Sequence, residues 1–350
     1  MLTGRSVMLC GGMASLAIGL VYDLLGRYPR RAGDPEDVDA EYEPEATVRV
    51  LEGALRRLGH RPVRIGNPHD LLARIARQGA PGLPGIDAVL NIAEGFGGRN
   101  REAWAPVLLE MAGVPTLGSD ALTLSVTLDK AWACRVVAAA GVPVPAQAVL
   151  GSGEEAEKVD LPRPFPLFVK PRWEGTAKGI GPASRVADRA ALAREVGRIV
   201  RDYTQPALVE PFLEGPEYTV TVVGNDPPRV LPVLQRALEV TTGIGLHALE
   251  RHRAPVGGWR HGLPGNFDDE LEAGLARLAR IAYEALECRD FARADFRLDR
   301  AGRPWFLEMN PLPTFAPDGS FGILAELEGV PLEDLLARIL ADALRRLGLP

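Results

Sequence analysis

The sequence predicts an α/β protein of more than one domain, and three observations carry that reading. Short apolar runs alternate with stretches of helical periodicity in the first half of the chain, the pattern of a mostly parallel sheet covered by helices. The length of 350 residues gives an expectation of about two to three domains. Near the end, two apolar-alternating runs flank Asp299, Arg300, Ala301 and Gly302, a turn-forming tetrad that predicts a β-hairpin.

The elements follow in order. Residues 7–10 are expected as a first strand, then a turn at Gly11 and Gly12 and the start of a helix within the apolar stretch that runs to Val21. That stretch follows Arg5 and could mimic a signal-peptide core, but its lead is short and no small-residue cleavage site is evident. Residues 34–43 form an acidic connector, expected as a solvated loop. Pro44 opens a helix that carries Val48, Leu51, Leu55 and Leu58 on one face and stops at Gly59. Residues 62–65 and 88–92 read as strands, with a Gly/Pro-rich loop over 79–85 between them. Residues 101–111 predict a helix ending at Gly113, and residues 129–140 another ending at Gly141, with Trp132 and Cys134 as packing residues. Residues 165–171 are a buried strand that delivers Lys170. Helices are expected over 188–200, over 268–286 through Leu271, Leu275, Leu278 and Ile281, and over 331–347 before Gly348.

A hydrophobic content of 46% with 25% charged residues suits a soluble globular protein with a sizeable core. A net charge of −6 argues against a nucleic-acid partner, which favours a basic face. Cys10, Cys134 and Cys288 offer neither a disulfide framework nor metal-ligand spacing and suit a reducing compartment, so the expected location is the cytoplasm. No stretch elsewhere is long enough to span a membrane. The histidines, including His252 and His261 among arginines, are expected in surface loops rather than in catalysis.

The hairpin carries the chemistry. Side chains alternate along a strand, so Glu308 and Asn310 point the same way. With the turn centred between Arg300 and Ala301, Arg293 is expected opposite Glu308 and Asp295 opposite Phe306, which puts Arg293, Asp295, Glu308 and Asn310 on one face. Two carboxylates and an amide oxygen among apolar residues are expensive to bury without a cation. All-oxygen donors suit Mg²⁺ held together with nucleotide phosphates. The plainer reading is a surface hairpin with solvated charges. Upstream, Lys170 is followed by Glu174-Gly175-Thr176-Ala177-Lys178-Gly179-Ile180-Gly181. Its glycines let backbone N–H groups turn toward an anion, and Thr176 and Lys178 add donors. The spacing is neither that of a Walker loop nor that of a Rossmann turn. Glu210 at a strand end, an apolar link and Glu217 then suit an adenosine slot, with backbone groups reading adenine and Glu217 accepting the ribose hydroxyls; the alternative is strand-end solvation. Glu94 and Arg99 sit where a parallel sheet gathers ligands, at the carboxyl ends of its strands.

As an ordered set, Lys170, the 175–181 loop, the stretch from Glu210 to Glu217 and the hairpin with Asp295, Glu308, Met309 and Asn310 resemble the ATP-grasp enzymes. Thr116-Leu117-Gly118-Ser119, followed by Thr127-Leu128-Asp129-Lys130, is similar to the segment that opens the central domain of D-alanine–D-alanine ligases. The resemblance covers roughly residues 85–345. It implies an ATP-grasp fold with an N-terminal α/β domain over 1–120, a central subdomain over 121–212 and a C-terminal subdomain over 213–350, with ATP between the last two. It implies ATP- and Mg²⁺- (or Mn²⁺-) dependent joining of a carboxylate to an amine through an acyl phosphate, with two metal ions, amino-acid or peptide substrates and room for a homodimer. Position by position, it makes Lys130 and Lys170 phosphate ligands, assigns Glu174, Gly175, Thr176 and Gly179 to the nucleotide loop, and sets Glu210 and Leu213 at adenine and Glu217 at ribose. It gives the metals to Asp295, Glu308 and Asn310, the tetrahedral intermediate to Arg293, and a substrate contact to Ser320.

The departures fall on the substrate half. The family's glycine-rich start carries an acid that binds the first ammonium; here Cys10-Gly11-Gly12-Met13-Ala14-Ser15 has none. The family's His-Gly motif is Glu94-Gly95, and the acidic pair after it has become Arg99-Asn100-Arg101. Pro-Gly after the hairpin is Pro313-Thr314, and the lid lysine has no clear match among Arg236, Arg251 and Arg253. Glu94 offers an ammonium a carboxylate in a new position, and Arg99 or Arg101 could grip a substrate carboxylate or simply pair with Glu102 or Glu110. Residues 175–181 and 241–258 are the candidate lids. Three readings stay open, in this order: an amino-acid or peptide ligase with substrates of its own; D-alanine–D-alanine ligase of cell-wall synthesis; and a carboxylase-type ATP-grasp enzyme or a nucleotide-binding protein without turnover. The intact acid set argues against a protein without turnover.

Overall fold

In the computed structural model, which describes residues 15–77, 82–162, 164–245, 265 and 267–350, the first strand is β1 (Ala17–Val21), buried along its whole length. It lies where the sequence reading puts a helix. The run has no polar residue to form an outer helical face, and a central strand of a parallel sheet is covered on both sides. The strand expected over 7–10 lies outside the described residues. Beside β1 run β2 (Arg61–Gly66), β3 (Ala88–Asn91) and β4 (Thr116–Leu117), in the order β2-β1-β3-β4 and all parallel. Helix α1 (Glu45–Arg57) follows Pro44 and buries Val48, Leu51 and Leu55. Helix α2 (Pro68–Ala76) starts in a capping box made by Asn67 and Asp70. Helix α3 (Trp104–Ala112) continues a 3-10 turn over Arg101–Ala103 and ends at left-handed Gly113.

A second sheet is antiparallel and ordered β5-β8-β6-β7, with β5 (Ala148–Leu150), β6 (Leu167–Pro171), β7 (Arg185–Val186) and β8 (Ala207–Pro211). Two helices precede it, α4 (Ala121–Leu128) and α5 (Lys130–Ala139), the latter capped by the Asp129 carboxylate, which accepts the Trp132 N–H. Cys134 is buried as expected, but Trp132 is 46% exposed and lies under the Arg135 guanidinium. The short α6 (Glu155–Lys158) and the longer α7 (Arg189–Tyr203) cover the sheet, α7 through Leu192, Val196 and Ile199.

The third sheet holds β9 (Glu217–Val223), β10 (Arg229–Val230), β11 (Leu234–Arg236), β12 (Phe291–Leu298) and β13 (Pro304–Asn310), in the order β10-β9-β12-β13 with β11 also on β9. Helix α8 (Asp269–Ala285) packs on it through Leu275, Leu278 and Ala282. The hairpin β12–β13 forms, with a register other than the one expected. Arg293 faces Asn310 and Asp295 faces Glu308. The loop spans residues 299–303, where the Asp299 carboxylate accepts the N–H groups of Ala301 (2.8 Å) and Arg303 (3.0 Å). The ladder then shifts between Asp295 and Phe296, with Leu307 as the extra residue of a bulge. A turn centre read from composition carries no information about a bulge.

Helices α9 (Ser320–Glu328) and α10 (Leu332–Arg346) return to the first sheet. Phe315, Phe321, Leu336 and Leu340 share one core with Leu20, Leu51 and Leu90.

Candidate functional site

Strand β6 carries Lys170 inward because its apolar neighbours bury it. The ammonium lies 2.7 Å from Glu210 of the adjacent β8, and both side chains are almost fully enclosed. The ammonium is more deeply buried than the sequence reading expected, and the Glu210 carboxylate keeps it from being stranded there. Burial opposes the charge on Lys170, but Glu210 and then Glu308 outweigh it and raise its pKa. Gln147 donates to the same carboxylate at 3.4 Å.

Lys130 opens α5. Its ammonium donates to the Glu174 carbonyl and sits 3.2 Å from Glu308 of β13. Glu308 therefore draws on both lysines. Opposite it, Asp295 accepts both Nε and Nη2 of Arg293, each at 3.1 Å, and the hydroxyl of Thr219. Burial pushes the Asp295 carboxyl up, but Arg293 and Arg236 overcome it and hold the group below the usual carboxylate range. The Asn310 amide oxygen accepts the Leu312 N–H at 3.0 Å. Among the described residues no group of three or more histidine, cysteine and acidic side chains is placed to hold a metal ion by itself. The hairpin set is two acids and an amide, all oxygen, which fits Mg²⁺ bound through few carboxylates together with phosphates.

Glu217 begins β9 and lies 3.4 Å from Arg236 and 3.5 Å from Arg297; Leu213 is half-buried in the link before it. Arg236 is the residue that sequence reasoning undervalued. It stands between Glu217 and Asp295, 3.4 Å from each, and Asp295, Glu217 and Glu308 raise its pKa against the opposing effect of burial. It belongs to a three-residue strand, too short for alternation to show in a sequence. Arg251, Arg253, His252, His261 and residues 246–258 of the second candidate lid lie outside the described residues.

The substrate-side residues gather at the carboxyl edge of the first sheet. Glu94 follows β3 and is hydrogen-bonded to Glu102. Burial, then Glu102 and Glu41, push the Glu94 carboxyl well above its ordinary value. Burial also pushes Glu102 up, to about 7, against the pull of Arg101. Asn91, at the end of β3, has its amide nitrogen buried without a hydrogen-bond partner among the described residues. Arg101 meets no open face. It is buried, 2.7 Å from Glu41 and 2.7 Å from the Trp173 carbonyl. Arg99 is half exposed, 3.4 Å from Asp129 and over the Trp173 ring. These partners are not the expected Glu102 or Glu110. Ser320 is the first residue of α9.

The glycine-rich loop also departs from expectation. The connector over 34–43 is docked on it rather than solvated. Glu41 accepts the Gly175 N–H at 2.5 Å and lies 3.0 Å from Lys178, and Asp37 accepts the Gly179 N–H at 2.8 Å. Gly179 has φ +74°, and a Cβ there would stand 2.5 Å from Pro171, so only glycine fits. Thr176, at the tip of the loop, is exposed.

A family model described as "D-ala D-ala ligase C-terminus" matches residues 136–341. A protein of Halorhodospira halophila named D-alanine–D-alanine ligase is 33% identical over 265 residues, 75% of this chain and 82% of its own length. The chain belongs to the D-alanine–D-alanine ligase family. It is accordingly an ATP-dependent carboxylate–amine ligase that forms carbon–nitrogen bonds, with ATP and Mg²⁺ as its cofactors. The ligase is also 33% identical to an uncharacterized protein of Sinorhizobium fredii over 329 residues, 90% of this chain and 93% of that one. Its fold is that of ATP-grasp ligases. A D-Ala:D-Ser ligase from Enterococcus faecalis superposes with a TM-score of 0.68 at 19% identity, covering 94% of this chain and 100% of that one. A D-alanine–D-alanine ligase from Bacillus anthracis complexed with ATP gives 0.66 at 20% identity, covering 95% and 98%. No helix among the described residues is long and apolar enough to cross a membrane.

Proposed function

We propose that the ligase joins amino acids or peptide-like substrates, at least one of them other than D-alanine, through an acyl phosphate with release of ADP and phosphate. The observation that carries this reading is the Glu94–Glu102 acid pair at the carboxyl edge of the first sheet, where the family has a histidine motif. An ammonium group is the natural ligand of such a pair, because a cation lets both acids ionise and releases the proton they retain near neutral pH. Arg101 takes no part in substrate binding, since Glu41 and the Trp173 carbonyl hold it.

The remaining residues divide the work as follows. Lys130 and Lys170 bind the phosphates, and both already lie in the field of Glu308. Glu174, Gly175, Thr176 and Gly179 belong to the loop over the phosphates. Glu210 and Leu213 flank adenine, and Glu217 receives the ribose hydroxyls. Asp295, Glu308 and Asn310 hold Mg²⁺, which supplies charge neutralisation at the transferring phosphoryl group. Arg293 is kept in a fixed orientation by its two bonds to Asp295 and stabilises the oxyanion that forms when the amine attacks. Ser320, at the positive end of α9, receives a substrate carboxylate. The three sheets support a division into units near residues 120 and 212.

The test supplies D-alanine alone with ATP and Mg²⁺ and assays D-alanyl-D-alanine by mass. Efficient formation, with kcat/KM on the order of 10⁴ M⁻¹s⁻¹ or higher, overturns the reading. ADP release on another amino-acid pair, lost in Glu94→Gln, supports it. A second reading, D-alanine–D-alanine ligase itself, is favoured by the name of the Halorhodospira relative.

A further inference from the structure

We propose that the connector over residues 34–43 is a latch that holds the glycine-rich loop closed over the nucleotide, with Glu41 and Asp37 as positioning residues. The proposal rests on the nucleotide reading of that loop.

The loop is gripped from two sides. On its outer side, one oxygen of Glu41 accepts the Gly175 N–H at 2.5 Å and the Arg101 guanidinium at 2.7 Å, while the other meets the Lys178 ammonium at 3.0 Å. Asp37 accepts the Gly179 N–H at 2.8 Å with one oxygen and the Tyr203 hydroxyl at 2.8 Å with the other. On its inner side, the carbonyl of Glu174 accepts the Lys130 ammonium, which also pairs with Glu308. One loop residue is thus tied to the first sheet through Arg101, 3.3 Å from its carboxylate, and to the metal hairpin through Lys130.

The charges balance. Glu41 and Glu174 face Arg101 and Lys178, and all four side chains are nine-tenths or more buried. Burial favours a neutral Glu41, but Arg101 and Lys178 outweigh it and hold its carboxyl far below the ordinary range. Opening the loop would leave the Glu41–Arg101 and Glu174–Lys178 pairs intact but break the contacts between them, Glu41 with Lys178 and the Gly175 N–H and Arg101 with Glu174. The tip held by this clasp contains consecutive left-handed residues, Thr176 at φ 50° and Ala177 at φ 55°. Non-glycine residues keep that conformation only when their surroundings impose it. The clasp draws on the connector before α1 and on the turn before α3, both parts of the first-sheet unit, so closure joins the substrate side to the nucleotide side.

The experiment measures hydrogen exchange over residues 172–181 without nucleotide, and ADP-Mg²⁺ affinity by calorimetry, in the full chain. Glu41→Gln is the direct variant. Asp37→Asn with Tyr203→Phe spares the buried charges and serves where Glu41→Gln does not fold. We expect faster exchange confined to the loop and ADP-Mg²⁺ affinity lower by roughly tenfold, the size of one charge-assisted hydrogen bond. Glu41→Asp, which keeps the charge, should recover part of both. Unchanged loop exchange overturns the latch. Tighter ADP-Mg²⁺ binding in the variants also overturns it, because the carboxylates would then be plugs competing with phosphate. Failure of the unsubstituted protein to bind ADP-Mg²⁺ overturns the nucleotide reading instead, a result that the exchange measurement alone does not produce.

Discussion

Lys170→Met leaves the Glu210 carboxylate buried without its cation. The pair is 2.7 Å apart, with side chains 6% and 4% exposed, so water cannot take the lysine's place. Breaking a buried ion pair from one side costs about 3–5 kcal/mol, whereas removing both charges together is often close to neutral. Lys170→Met alone should therefore lower stability sharply, and Lys170→Met with Glu210→Gln should regain most of the loss, since Gln147 already hydrogen-bonds at that position. Nucleotide binding should behave differently. If Lys170 is a phosphate ligand, the double variant folds yet binds ADP-Mg²⁺ weakly. Urea unfolding followed by circular dichroism, with calorimetric titration of ADP-Mg²⁺, reads both quantities. An unchanged unfolding midpoint in the single variant would refute the buried pair. Wild-type ADP affinity in the double variant would refute the phosphate role.

Two further outcomes follow from the charge arrangement. Glu308→Gln should lower turnover by roughly 10² or more, as the loss of a strong electrostatic contact to developing charge does; near-normal turnover with an unaltered Mg²⁺ requirement would remove Glu308 from the metal set. Glu102 is an acid raised from 4.5 to about 7, so the native state binds more protons than the unfolded chain between those values. Stability should fall as pH rises through that window, with the loss complete above it. Glu102→Gln should remove this contribution, so its melting temperature relative to the natural protein should improve from acid to neutral pH; a difference that stays flat with pH contradicts the shared-proton pair.

Helices with a clear apolar stripe and a stop signal were legible in the sequence. Helix α1 between Pro44 and Gly59, α7 after Asp188 and α10 before Gly348 fall within a few residues of the expected bounds. The hairpin acids were legible as a group because alternation survives a register error. Arg293, Asp295, Glu308 and Asn310 keep one face although a bulge at Leu307 shifts the pairing. What stayed hidden depends on contacts between distant segments. Glu41 looked like one more solvated acid because Arg101, Lys178 and Gly175 lie 60 to 137 positions away from it. Arg101 looked free for substrate for the same reason. β1 was hidden because an apolar run of this length carries no period, and burial on both faces decides its conformation.

The packing of α9 and α10 onto the first sheet has a bearing on how the chain acquires its shape. Leu20, Leu51 and Leu90 belong to a core that Phe315, Phe321, Leu336 and Leu340 complete, so the apolar surface of the first sheet stays uncovered until residues more than two hundred positions further along the chain have been made. A fragment ending at residue 310 would contain every candidate nucleotide and metal ligand and still leave that surface open to water. Damage to residues 320–346 should therefore silence the site from the far side of the molecule, by aggregation during synthesis rather than by any loss of chemistry.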